Sequence, residues 1–328
     1  MFPVNRDLEL LSVVAPAFNE EATVEAFYSR VVAALDGIPF ELILVDDGST
    51  DRTRALLERL ADLDDRVRVV LLSRNFGHQT ALTAGLDHAR GNAVVMLDAD
   101  LQDPPELIPR MLEHWSNGSH VVYAVREARE GETKFKLATA RWFYKLFDKI
   151  AQVEMPHQAA DFRLLDRQAL DALLSMRERS RFLRGMTVWV GYTQTAVPYK
   201  RDPRYAGETK YSLGRMLRLS FDAMTSFSHA PLQMATALGF LFSCLAFLAI
   251  PVIIVLKALD AYLPGFSTIT IVILLLGGIQ LIAIGIIGEY VARIYDEVKG
   301  RPLYLVKARI NVPEEDAAAA DDRAGHAS

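Results

Sequence analysis

Three short polar clusters, each at the end of an apolar run, hold the residue types that can do chemistry. Asp98-Ala99-Asp100 follows Val94-Val95-Met96-Leu97 and precedes Leu101-Gln102-Asp103-Pro104-Pro105. Two carboxylates one residue apart on a turn after a strand can share a hard cation. Mg2+ or Mn2+ held this way bridges protein oxygens to phosphate oxygens of a ligand and neutralises charge on a leaving diphosphate. Asp103, just before Pro104, is placed to cap the next helix, which leaves Asp98, Asp100 and Gln102 for that role. Asp46-Asp47-Gly48-Ser49 ends an earlier run. There one carboxylate can accept hydrogen bonds from a base or ribose, and Gly48 permits a tight turn. Pro16-Ala17-Phe18-Asn19-Glu20 ends the first run. Phe18 offers a ring to a base, and Asn19 and Glu20 can cap the following helix. Taken singly, the Asp46 cluster reads equally well as a turn with a helix cap and the Pro16 cluster as a cap, whereas the place of Asp98-Ala99-Asp100 after an apolar strand favours the cation.

The elements that must position these clusters alternate in period. Leu10 to Ala15, Phe40 to Val45, Val67 to Leu72 and Ala93 to Leu97 are short apolar runs of strand length. Between them, Glu20 to Leu35, Arg52 to Leu63 and His78 to Ala89 carry apolar residues at helical spacing. Ser49, Thr50 or Asp51 can cap the second helix, and Gly91 closes the third. Repeated βα units with wholly apolar strands predict an α/β fold whose parallel sheet is covered on both faces. Ligands bind such sheets beyond the carboxyl ends of the strands, where all three clusters lie.

The remainder of the chain points to a membrane. Apolar residues make up 51% of it, and mean hydropathy is +0.14. These values suit a soluble domain joined to a few membrane helices. Two runs are long enough to span a bilayer, at about 234–256 and 266–287. Lys134 to Ile150 and Ser212 to Phe227 mix aromatic and aliphatic bulk with Lys and Arg, a pattern suited to helices lying in the interface. The loop at 257–265 has one basic residue, whereas Arg215, Arg218, Arg293, Lys299, Arg301, Lys307 and Arg309 flank the spans, so both termini are expected in the cytoplasm. Met1 to Glu9 does not read as a signal peptide. The expected organisation is a catalytic domain at 1–212, an interfacial helix at 213–230, two spans within 231–293, a cytoplasmic return at 294–312 and a disordered acidic tail at 313–328. From Arg126 to Arg218, 19 Lys and Arg face 11 Asp and Glu. This local excess of +8 in a chain of net charge −5 implies an anionic partner or surface. Nothing points to nucleic acid. The single cysteine, Cys244, excludes an intrachain disulfide and a cysteine metal site.

In this order, Val14 to Glu20, Val45 to Ser49 and Leu97 to Gln102 resemble the family 2 glycosyltransferases with the GT-A fold. The likeness extends to Arg74-Asn75-Phe76-Gly77, to Arg204 to Ser212, to the two apolar spans and to Gly288 to Tyr295. That set is similar to the polyprenyl-phosphate glycosyltransferases: dolichol-phosphate mannose synthases and, more closely, bacterial bactoprenol glucosyltransferases. It covers about residues 8 to 308. The resemblance implies a Rossmann-like, mostly parallel GT-A sheet with interfacial helices and a two-helix C-terminal transmembrane hairpin in the inner membrane. It implies a homo-oligomer, with a tetramer as one form. It also implies that Pro16, Phe18, Glu20 and Asp47 hold the nucleoside, with Asp98 nearby, and that Asp100 and Gln102 bind Mg2+ or Mn2+, with or without Asp98. Arg126, Arg129 and Arg163 would meet the acceptor phosphate, and Arg204 and Lys210 would close over the donor diphosphate. Asp161-Phe162-Arg163 stands where many relatives have a longer Asp-Tyr-Gly type segment, which leaves Asp161 either to orient an arginine or to act as a weak base.

The implied reaction transfers one sugar, with glucose from UDP-glucose expected, to undecaprenyl phosphate. GDP-mannose, a UDP-N-acetylhexosamine or a modified pentose donor is the alternative. A phosphate monoester has a second pKa of about 6, so the nucleophile arrives ionised and the protein must chiefly bring two anions together. In-line attack at C1 would invert the anomeric configuration. A processive polysaccharide synthase is disfavoured because Arg141-Trp142 has Ala138 where a Gln-x-x-Arg-Trp motif needs Gln. A nucleotidyltransferase is disfavoured because Ala15 to Glu21 contains no glycine. A non-enzymatic scaffold is disfavoured because Asp47, Asp98 and Asp100 are all retained.

Overall fold

The computed structural model describes residues 6–126, 159–199 and 265–325, with scattered residues between 232 and 259. These residues fall into two compact units, one holding the sheet and residues 300–325, the other holding 265–299. The first unit is built on strands β1 (Leu11–Ala17), β2 (Phe40–Asp46), β3 (Val67–Leu72), β4 (Ala93–Met96), β5 (Val121–Arg126), β6 (Ala159–Asp166), β7 (Gln194–Tyr199) and β8 (Val306–Ile310). Their order across the sheet is β7-β5-β6-β4-β1-β2-β3-β8. Strands β1 to β4 are mutually parallel, β6 runs antiparallel between β4 and β5, and β8 runs antiparallel along β3. The mostly parallel α/β architecture expected from the sequence is the one found.

Helices α1 (Val24–Ala34), α2 (Thr53–Leu63), α3 (His78–Asp87), α4 (Ile108–Ser116), α5 (Arg167–Ser175) and α6 (Leu183–Trp189) connect the strands. Every residue of β1 and β2 is buried, as a strand covered on both faces requires. Leu11, Val13, Leu42, Leu44, Val69 and Val95 join Phe27, Val31 and Leu57 of the helices in one core. Gly91 acts differently from the cap expected. A Cβ there would meet Leu10 O at 2.5 Å, so glycine is needed for close backbone approach, and His88 is the C-cap of α3. Asp103 is a second correction. Pro104 is the N-cap of the next turn, without a side-chain cap bond, and buried Asp103 accepts the Tyr199 hydroxyl instead.

Asp64, the C-cap of α2, takes Arg66 Nη2 at 2.8 Å, Arg66 Nε at 3.0 Å and the Tyr28 hydroxyl at 2.9 Å. The Arg66 hydrogen bonds, ahead of all other causes, hold its carboxyl down at about 2. A depressed carboxylate stabilises the fold above its unfolded pKa and loses that contribution as pH falls through the folded one. With Arg66 half exposed, the contribution is about 1–2 kcal/mol. Asp64→Asn is expected to lower the thermal midpoint at pH 7, and the gap to wild type should narrow between pH 4 and pH 2. A gap that stayed constant with pH would show the ion pair to be unimportant.

The tail corrects another expectation. Its acidic, alanine-rich composition reads as disorder, yet Glu314–Gly325 forms a helix, α8. Alanine is the best helix former, and Ala320 and Ala324 are buried. Asp316 meets Arg68 at 3.0 Å and Arg90 at 3.4 Å, beside buried Glu41, which pairs Arg68 at 3.1 Å. The tail therefore satisfies cations of the sheet domain, a long-range pairing that composition cannot register.

In the second unit, the span expected at 266–287 lies inside helix α7 (Phe266–Val298), which continues to Val298. Within it Leu275–Val298, of mean hydropathy 1.8, is the one stretch among the described residues long and apolar enough to cross a membrane. Of the span expected at 234–256, scattered residues are described, and these are helical. The expected interfacial helices at 134–150 and 213–230 lie outside the described residues.

Candidate active site

The carboxyl ends of β1, β2 and β4 converge on a cleft of about 270 Å3. Pro16, Phe18, Glu20, Asp47, Asp98 and Asp100 all line it, so six residues singled out along the first hundred positions share one wall. Parallel pairing does this: Ala17 of β1 lies opposite Asp46 of β2, and Val14 opposite Met96 of β4, so three strand ends come level. Phe18 is 45% exposed at the rim, an open ring face for a base.

Asp47 is buried, and its two oxygens accept the backbone N–H of Phe76 at 2.7 Å and Gly77 at 2.9 Å. It therefore also fixes the Arg74-Asn75-Phe76-Gly77 loop. Burial pushes its carboxyl up and the neighbouring Asp46 adds to this, partly offset by the two N–H donors. Gly48, at φ +72, lies so close to that loop that a Cβ would sit 2.6 Å from the Arg74 carbonyl carbon. The glycine is thus required for both its conformation and its contact.

On the loop after β4, Asp100 Oδ1 accepts the Gln102 N–H at 3.1 Å, while Leu101 is held at φ +60, a left-handed value unusual for leucine. Such strain is often kept at functional sites. Gln102 is buried, and its Oε1 lacks a hydrogen-bond partner. A buried amide oxygen without a donor, on the same loop as two carboxylates, supplies the hard-oxygen ligand type that Mg2+ or Mn2+ takes. Among the described residues no three His, Cys, Asp or Glu cluster as a closed metal site. The set fits a cation that completes its shell with ligand phosphate and water.

Of the residues expected to meet the acceptor phosphate, Arg126 lies on β5 and Arg163 on β6. Met96 pairs with Arg163 across the antiparallel β4–β6 ladder, so Asp161, two residues earlier, comes level with Asp98, two residues later. Asp161 Oδ1 takes Arg184 Nη2 at 3.1 Å and Nε at 3.2 Å. Arg126, at the end of β5, donates Nε to the Tyr199 hydroxyl at 3.2 Å, and Tyr199 donates to Asp103. Burial lowers the Arg126 guanidinium, but Tyr199, Asp103 and Asp161 outweigh it and the net shift is upward.

Arg163, expected to meet the acceptor phosphate, is buried in the fold, and its Nη2 has no hydrogen-bond partner. It is 1% exposed, its Nη1 donates to Arg184 O at 3.3 Å and to the Thr187 hydroxyl, and its Nε donates to Ala160 O at 3.4 Å. Burial, with Arg184 nearby, brings its pKa down to about 10. Its side chain is covered by α6 and fastens that helix to β6. Arg129, Arg204 and Lys210 lie outside the described residues.

Three residues bonded, directly or through His78, to those expected at the site were not singled out by sequence. His78 opens α3 and lines the cleft, with Nε2 2.7 Å from Asp98 Oδ1. Burial pulls its imidazole down, but the hydrogen bond to Asp98 and the charges of Asp98, Asp161 and Asp100 outweigh that, so the net shift is upward. Gln79 and Arg184 are the others. A histidine at the first turn of a helix that begins at a sheet's carboxyl edge was the available signal, because such helix ends carry ligands.

The sequence model described as Glycosyl transferase family 2 matches residues 12–174. The chain is 48% identical to an uncharacterised glycosyltransferase, YkcC, of Bacillus subtilis (strain 168), over 90% of this chain and 93% of that protein. It is 39% identical to the bactoprenol glucosyl transferase of Shigella phage SfX, over 91% of this chain and 99% of the other. Among solved structures, it is similar to a glucosyl-3-phosphoglycerate synthase from Mycobacterium tuberculosis crystallised with Mn2+, UDP-glucose and phosphoglyceric acid. That likeness covers 64% of this chain and 75% of that one, at 23% identity and a TM-score of 0.45. At that distance nothing about ligands transfers.

Proposed function

The chain belongs to glycosyl transferase family 2, and on that premise we propose that it transfers one sugar from a nucleotide-sugar to the phosphate of a polyprenyl lipid. The expected donor is UDP-glucose and the expected acceptor undecaprenyl phosphate, in keeping with the names of relatives such as the phage bactoprenol glucosyl transferase. The observation that carries the reading is the meeting of donor-type residues from three strand ends in one cleft, with Arg126 on β5 and, on β6, Asp161 paired to Arg184 of α6.

Phe18 and Pro16 receive the base, and Glu20 and Asp47 border the nucleoside. A volume of about 270 Å3 lies just under the ~300–1,000 Å3 of small-molecule sites, so the sugar extends past Asp98 and Asp100 toward β6. Asp98, Asp100 and Gln102 would hold Mg2+ or Mn2+, which supplies positive charge to the departing diphosphate. The acceptor phosphate is ionised at neutral pH, so the site has no need of a strong general base. Arg126 draws it in against its own charge and that of the donor. Asp161, paired to Arg184, serves to orient that guanidinium. Attack from the face opposite the diphosphate inverts C1.

The membrane placement belongs to the same proposal. Leu275–Val298 and the apolar run at 234–256 form two spans, the flanking Arg and Lys keep the catalytic domain in the cytoplasm, and the bilayer delivers the acceptor. A panel of radiolabelled nucleotide-sugars, supplied to membranes containing the full chain and undecaprenyl phosphate, tests the reading. Label from UDP-glucose is expected in the lipid phase. Label from GDP-mannose, a UDP-N-acetylhexosamine or a pentose donor would replace the sugar, and no lipid label from any donor would overturn the reaction.

A further inference from the structure

Hydrogen bonds, with one peptide link between Leu183 and Arg184, join Asp98 to Asp161 by way of His78 on the cleft wall and Gln79 behind it. His78 Nε2 lies 2.7 Å from Asp98 Oδ1. His78 Nδ1 lies 3.3 Å from Gln79 Nε2. Gln79 Oε1 accepts the backbone N–H of Leu183, the first residue of α6, at 2.9 Å. One residue on, Arg184 holds Asp161 at 3.1 Å.

The direction at one end is fixed by chemistry, and the rest follow from it for a neutral His78. A backbone N–H can only donate, so Leu183 requires the Gln79 oxygen on its side, and the amide cannot be flipped. The Gln79 NH2 then faces the imidazole and donates to Nδ1. In the neutral ring, a nitrogen that accepts leaves the other to donate, so Nε2 carries its proton toward Asp98, and in the imidazolium Nε2 donates there as well. Leu183 N thus sets Gln79, Gln79 sets the tautomer of His78, and His78 sets Asp98. The far end is equally anchored, because buried Arg163 holds α6 through Arg184 O and Thr187.

We propose that Gln79 and His78 form a positioning relay that couples the nucleotide-binding carboxylate Asp98 to helix α6 and, through Arg184, to Asp161. The inference rests on the reading of the cleft as a nucleotide site. Occupancy beside Asp98 firms the start of α6, and the Arg184–Asp161 pair is then set for the acceptor. By linkage the effect is reciprocal: an ordered acceptor side favours the bound nucleotide. Gln79 is the residue to test, because it does not itself line the cleft and has no bond to Asp98 or Asp161, and methionine conserves its length without its amide.

The experiment is hydrogen exchange on the full chain in lipid nanodiscs, with Mn2+ and either UDP or GDP as probe. In the wild type, the nucleoside diphosphate is expected to slow exchange at 16–20 and 98–102, and also at 183–189. In Gln79→Met the protection at 16–20 and 98–102 should persist while that at 183–189 is lost, with the Leu183 amide exchanging about tenfold faster even without nucleotide, the scale of one hydrogen bond. Gln79→Asn, polar but too short to reach both partners, should behave like the methionine variant, which separates geometry from polarity. Protection of the cleft without protection of 183–189 in the wild type would overturn the relay and leave the nucleotide site standing. So would equal protection of α6 in both variants. Failure of either nucleotide to protect the cleft would overturn the site reading and the relay together.

Discussion

Asp100→Ala is expected to reduce kcat about 10³-fold, or about 4 kcal/mol, in an assay of nucleoside diphosphate release with saturating Mn2+. Asp100 sits on the cleft wall, where negative charge can hold the cation that balances a leaving diphosphate. It has a second duty, because its Oδ1 accepts the Gln102 N–H at 3.1 Å and shapes a loop with Leu101 at φ +60. Asp100→Asn separates the two. Its amide oxygen can still accept the Gln102 N–H, so the loop keeps its form, but the charge is gone. Loss of activity in both variants assigns the effect to charge. Full activity in Asp100→Asn would remove Asp100 from metal binding and assign it to loop geometry alone. The buried, partnerless Gln102 Oε1 adds a smaller expectation: Gln102→Leu should raise the Mn2+ concentration needed for half-maximal rate.

Replacing Arg126 by lysine is expected to lower kcat/KM for the polyprenyl phosphate about 10²-fold, or about 3 kcal/mol, with the donor KM within about twofold of wild type. The side chain is anchored by its Nε on Tyr199, which is held in turn by Asp103. That anchor turns a flexible cation into an oriented one. Lysine keeps the charge but loses the planar fork that meets two phosphate oxygens at once. Tyr199→Phe, which frees the guanidinium without discharging it, should produce an intermediate loss confined to the acceptor. An equal rise in both KM values would mean that Arg126 supports the fold of the cleft and does not select the acceptor.

The donor wall was legible in sequence because its signals are local. Pro16, Asp47 and Asp98 each follow an apolar run, and parallel strands separated by helices bring such runs level at one edge. Residue type plus strand-end position was therefore enough. The burial of Arg163 could not be read in sequence because type says nothing about what covers a face: α6, some twenty residues later, is bonded to it. His78 and Gln79 passed unnoticed because their value lies in partners at Asp98 and Leu183, remote in sequence. The tail helix was missed for the same reason, its stability resting on Arg68 and Arg90.

The sequence by itself determined the alternation of strand and helix, the edge at which acids gather, the apolar stretch able to enter a bilayer and the family. These follow from hydrophobic period and from motifs a few residues long. Only the tertiary structure decided that Arg163 is buried while Arg126 stays partly exposed. It also decided that β8 and α8 return to the catalytic sheet, and that one glutamine ties the two sides of the site together. Side-chain partners more than a hundred residues apart are chosen by how helices lie on the sheet, and no local pattern encodes that geometry.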